Sequence, residues 1–79
     1  LFTAMDGSGT DEEAIHDVFS DMKNDLDVYL LIDQFGTRAG TSMFASSTPT
    51  DLAAWLNGDG VTGLVNDILK TKAKITYRF

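Results

Sequence analysis

The chain has no cysteine, a single proline and a single histidine in its 79 residues. Without cysteine there is no disulfide and no thiolate metal site to brace so small a core. Stability must come from packing, helped by a partner or a parent chain. The longest uninterrupted apolar stretch, around "VYLLI", is far too short to span a bilayer. No signal-peptide pattern is visible either, so the sequence reads as soluble with no compartment indicated. The chain opens on Leu1, not Met, which fits a fragment, a processed product or a trimmed chain. Basic residues are also scarce: 6 Lys and Arg stand against 12 Asp and Glu, for a formal charge of -6. That balance argues against nucleic acid as a partner through simple electrostatics.

The few cations are unevenly placed. Every Asp and Glu lies at or before Asp67, whereas Lys70, Lys72, Lys74 and Arg78 all follow it. A basic helix end favoured by the helix dipole is one reading. A basic contact patch is the other.

Apolar spacing predicts four helices. The first covers about Asp11 to Met22, with the stripe Ile15, Val18, Phe19 and Met22. Thr10 is its expected N-cap, and Glu13 completes a capping box. The second runs from Asp25 to Phe35, capped by Asn24 and stopped by Gly36 in a C′ role. Val28, Leu31, Ile32 and Phe35 form its stripe; Leu26, Tyr29 and Leu30 widen it, which predicts a central helix. A loop over 36–48 follows, with Met43 and Phe44 as candidates to pin its middle to the core. Thr48-Pro49 reads as N-cap and N1 of a short third helix reaching Asn57, with Leu52, Trp55 and Leu56 inward and Gly58 ending it. The fourth runs from Gly60 or Val61 to Thr71, with Asp59 as a plausible cap. The tail 74–79, ending "KITYRF", reads as extended. It packs along its own domain or adds a strand to another chain, and Tyr77 and Phe79 are its candidate interaction residues.

The stretch "AMDGSGTDEEAI" joins a glycine-rich loop to an acidic helix start. An EF-hand frame begun at Asp6 puts Asp11 where glycine is required. "NGDG" at Asn57 to Gly60 also fails as a calcium loop, because the outer ligand positions fall on Trp55 and Asn66. A phosphate loop needs a lysine after the last glycine, and Gly9 is followed by Thr10 and Asp11. A tight glycine turn can instead aim alternating carbonyls at one hard cation, and Met5, Gly7 and Gly9 alternate in this way. The same residues also read as a plain helix-joining turn, with Gly7 and Gly9 supplying positive φ.

On these residues the chain resembles a single annexin repeat. "AMDGSGTDEE" is similar to that family's Met-Lys-Gly-x-Gly-Thr-Asp-Glu loop. Residues 1–5, "LFTAM", would be a remnant of the repeat's first helix. Phe35-Gly36 resembles the end of its third, "DLAAWLNG" its fourth, and "GLVNDIL" its fifth. The resemblance covers most of the chain and implies an all-α bundle of four to five helices with an extended tail. It also implies calcium-dependent binding to acidic phospholipid, with the carbonyls of Met5, Gly7 and Gly9 as ligands. The departures weigh against that activity. The family's distal Glu aligns with Trp55 and the loop lysine with Asp6, leaving Asp6 or Asp59 to compensate. The loop over 36–48 is an insertion of roughly a dozen residues by comparison with the usual repeat, and a lone repeat has little avidity. An isolated repeat fits a bacterial or phage-type protein.

Catalysis finds little in this sequence. His16 lies off the apolar stripe, beside Asp17 and Ser20, and one helical turn does not give a triad its geometry. The reading is therefore a non-catalytic structural or protein-interaction module with no resident cofactor, its partner a protein or parent chain. The alternative is calcium-dependent binding of phospholipid membranes.

Overall fold

A computed structural model describes residues 1–5, 10–40 and 48–79. Its helices, in chain order, are α1 (Phe2–Met5), α2 (Glu12–Ser20), α3 (Asp25–Phe35), α4 (Leu52–Gly58) and α5 (Thr62–Thr71). Two short strands, β1 (Thr37–Arg38) and β2 (Thr50–Asp51), separate α3 from α4. They pair antiparallel, with Thr37 opposite Asp51 and Arg38 opposite Thr50. The described residues are thus mostly helical, but the expected purely helical bundle is corrected by this two-stranded sheet. No helix among them is long and apolar enough to cross a membrane.

The caps explain most of the boundaries. Asn24 caps α3 as its sequence suggests, accepting a hydrogen bond from the Asp27 amide at 3.2 Å. Gly36 ends α3 at φ 58, and its N–H donates to the Ile32 carbonyl. That left-handed conformation is ordinary for glycine and costly for most other residues. Three expected caps are corrected. The α2 cap is Asp11, not Thr10: the Asp11 carboxylate accepts from the Ala14 amide at 3.1 Å. The Thr10 hydroxyl is committed elsewhere, donating to Asp59 at 3.0 Å. That bond also removes Asp59 as a cap for α5, whose N-cap residue Val61 makes no side-chain cap bond. Likewise α4 does not start at Thr48-Pro49. The chain stays extended while Thr50 and Asp51 pair with β1, and the Asp51 carboxylate then caps α4 at the Ala54 amide, 3.0 Å away. The expected pins Met43 and Phe44 lie outside the described residues.

The core forms where the apolar stripes meet. Ile15 and Phe19 of α2 pack with Val65, Ile68 and Leu69 of α5, and α2 against α5 is the most extensive helix pairing. Leu52 and Leu56 of α4, Met5 of α1, Val28 of α3 and Ile75 of the tail complete it. A second centre lies at the end of α3. The Trp55 indole is 7% exposed and meets Phe2 and Phe35 edge-on, at centroid distances of 5.1 and 6.4 Å. Its Nε1–H donates to the Arg38 carbonyl at 2.9 Å. The Arg38 guanidinium in turn stands over the Phe2 and Phe35 rings, 5.1 and 5.2 Å from their centroids.

α3 is not the central helix that its apolar content predicts. Only Val28 and Phe35 are buried, while Leu26, Tyr29 and Leu30 are 60%, 53% and 49% exposed. The helix has two apolar faces, and the core uses one.

Trp55→Ala should remove both the aromatic packing and the indole bond, at a cost of about 3–5 kcal/mol. That is a large share of the stability usual for such a domain, so little folded protein should remain. Trp55→Phe should lose about 1–2 kcal/mol and stay folded. Urea denaturation followed by circular dichroism measures both.

Candidate functional site

The calcium reading places its ligands at the turn between α1 and α2. Of these, Gly7 and Gly9 lie outside the described residues. Met5 is described, and its side chain is 1% exposed in the core. The two ends of the turn are tied by the Asp11 N–H, which donates to the Ala4 carbonyl at 2.9 Å. From a distant part of the chain, the bond from Thr10 brings the Asp59 carboxylate to the same place. Trp55, which the annexin resemblance aligns with a distal Glu, offers no side-chain oxygen there; its indole is packed between Phe2 and Phe35. Among the described residues no three acidic, histidine or cysteine side chains gather as a metal site. His16 stands on α2 with its Nδ1 3.9 Å from the Asp17 carboxylate, both side chains well exposed.

The tail is held against its own domain. Asn66 of α5 grips Phe79 at both backbone groups: its Oδ1 accepts from the Phe79 N–H at 2.7 Å, and its Nδ2 donates to the Phe79 carbonyl at 3.2 Å. A side-chain amide presents one donor and one acceptor side by side, as a peptide group does, so the pair closes like a rung between strands. The Phe79 ring meets buried Phe19 edge-on at 6.0 Å. Tyr77 meets Phe79 at 5.0 Å and Tyr29 at 5.4 Å. Ile75 is buried, and the Thr76 hydroxyl donates to the Asp25 carboxylate at 3.0 Å. Tyr77 and Phe79, the candidate interaction residues, are therefore half-buried against α2 and α3.

Two surfaces lie beside the docked tail. The first is the outer face of α3. Leu26, Tyr29 and Leu30 stand at i, i+3 and i+4, so they share one face, and Asp33 continues it. Asp25 and Asp27 flank the same helix, making an apolar strip with acidic surroundings. The sequence shows the residues but not which of the two apolar faces the core would take.

The second surface is a groove of about 670 Å³ between α5 and the tail. Asn66, Asp67 and Lys70 line its helical side; Lys74, Tyr77 and Arg78 line the other. Three of the four cations that follow Asp67 thus meet in one place. The uneven charge along the chain is the signal for this groove, although the sequence does not say that the tail folds back to form it.

Asn66→Ala should free the end of the tail, costing about 1–2 kcal/mol for the two bonds and the packing they hold. Hydrogen exchange at the Phe79 amide should rise sharply while the α2 and α5 amides keep their protection.

Compared with protein-family models, with curated proteins and with solved structures, the chain matches none.

Proposed function

We propose that this chain is a non-catalytic protein-interaction module that takes a positively charged amphipathic helix on the outer face of α3. The observation that carries this reading is the strip Leu26, Tyr29 and Leu30, each about half exposed or more, on a helix whose other apolar face already serves the core. Single exposed leucines are ordinary; two with a tyrosine on one helical face form a contiguous patch of the kind that partners cover. The occupant follows from charge. Asp25, Asp27 and Asp33 surround the strip, and the chain carries -6 overall. A second copy would bring the same charge to the contact, whereas a basic helix relieves it. The loop sequence "AMDGSGTDEE" is what motivates a likeness to one annexin repeat as a description of the scaffold.

The probe is a synthetic amphipathic helix of leucine and lysine, titrated by calorimetry. Wild type should bind it, and Leu30→Asp should weaken binding about tenfold, through loss of roughly 1–2 kcal/mol of apolar contact. The direction is decisive, because Leu30→Asp makes the protein more negative. Binding that strengthens in this variant is mere charge attraction and overturns the proposal. So does a wild-type dimer in light scattering that Leu30→Asp dissolves, which assigns the face to a second copy.

One observation favours the second reading, calcium-dependent binding of acidic phospholipid. Asp59 is a carboxylate from a distant element held beside the residue that follows the glycine loop. On that reading millimolar calcium raises the melting temperature. Asp59→Asn, which keeps an acceptor for Thr10 and removes the charge, abolishes the rise. An unchanged melting temperature in calcium removes this reading.

A further inference from the structure

We propose that the groove between α5 and the tail is a binding site for a compact phosphate-bearing anion, held by Lys70, Lys74 and Arg78. Three observations converge on it. The first is placement: in a protein of charge -6, these three cations line one concavity of about 670 Å³, with the Tyr77 ring and the Asn66 side chain beside them. Concave sites with a few convergent polar groups are where small ligands bind.

The second is that the cations are unspent. Among the described residues, none of the three makes an ion pair, and the nearest acid in the lining, Asp67, is paired with none of them. Three cations against the single acid of the lining, Asp67, leave the groove with an excess of positive charge, and a bound anion relieves their mutual repulsion. The protein's distant carboxylates do little to oppose binding here, since at physiological salt charges further off than about 8 Å are largely screened.

The third is backbone strain. Lys74 has φ 59, and among the described residues it is the one non-glycine at positive φ. It occupies the turn that ends α5. Just before it, the Ala73 N–H donates to the Ile68 carbonyl at 3.1 Å; just after it, the Ile75 N–H donates to the Leu69 carbonyl at 2.8 Å. This is the left-handed position at a helix end where glycine is the usual occupant. A lysine there is disfavoured by its Cβ. The fold alone would be better served by glycine. What lysine adds is a third cation in the lining of the groove, with Lys70 and Arg78. Strain kept at one residue that also completes a cluster is the pattern of a functional site.

Guanidinium and ammonium groups suit phosphate oxygens: Arg78 offers a planar fork and each lysine a point charge. A free phosphate compound and a lipid headgroup share this chemistry. Pyrophosphate, titrated by calorimetry at low ionic strength, probes the first. Co-sedimentation with phosphatidylcholine vesicles containing phosphatidic acid probes the second. Pyrophosphate binding without vesicle pelleting assigns a soluble ligand; pelleting that pyrophosphate competes away assigns a headgroup.

The variants separate a site from general charge. Lys74→Gly should raise the melting temperature by a few degrees and weaken binding about five- to tenfold. Lys74→Arg should retain binding, and Lys70→Ala and Arg78→Ala should each weaken it by a similar factor. Lys72 carries the same charge on the same helix end but does not line the groove, so Lys72→Ala should leave affinity nearly unchanged. Failure of both probes to bind overturns the proposal. So does a loss in Lys72→Ala equal to that in Lys70→Ala, or a Lys74→Gly protein that is stabilised and binds as tightly as wild type.

Discussion

The packing of the Trp55 ring system, anchored by its indole hydrogen bond to the Arg38 carbonyl, is the constraint on which this small fold depends. It joins α4 to β1 across the segment that separates them in sequence. Around it, Phe2 and Phe35 bring in α1 and the end of α3. Arg38 serves three times: its carbonyl accepts from Trp55, its Nε donates to the Phe35 carbonyl, and its guanidinium covers two rings. A chain without disulfides needs such a junction, because packing of α2 on α5 alone leaves α1, the sheet and α4 loosely held. The same junction turns an expected ligand position into core.

How much of this was legible in the sequence depended on whether the deciding partner was local. The limits of α3 follow from Asn24 and Gly36, and both act within one helical turn. The stripe of α5 was equally plain, because Val65, Ile68 and Leu69 stand at helical spacing. The caps of α2, α4 and α5 were misread where a partner lay far along the chain. Thr10 is a good cap in isolation, but Asp59, 49 residues away, takes its hydroxyl. Pro49 is a good helix start in isolation, but pairing with β1 keeps the chain extended for two residues more.

The candidate sites show the same division. The cluster of late cations was visible as a composition shift, yet the groove needs Asn66 to fold the tail back, and no local pattern announces that contact. For α3 the difficulty was different. Its apolar residues cover two faces, and periodicity ranks neither. The structure spends Val28 and Phe35 inward and leaves Leu26, Tyr29 and Leu30 outward. An apolar helix is central only if the chain has enough other surface to cover it, and a chain of 79 residues does not.

The tail's attachment has a consequence for how the molecule works over time. One wall of the groove is the tail itself, whose last residues, beyond the buried Ile75, are held by the two Asn66 hydrogen bonds and the rings of Tyr77 and Phe79. Segments held this way open well below the free energy of global unfolding. The groove is therefore a population: it exists in the fraction of molecules whose tail is docked. Whatever occupies it tightens the tail, and whatever loosens Tyr77 from Tyr29 weakens the occupant by the same factor. Because Tyr29 also belongs to the outer face of α3, a partner seated on that face and a ligand in the groove would each alter the other's affinity. The two surfaces thus share one aromatic contact, between Tyr29 and Tyr77.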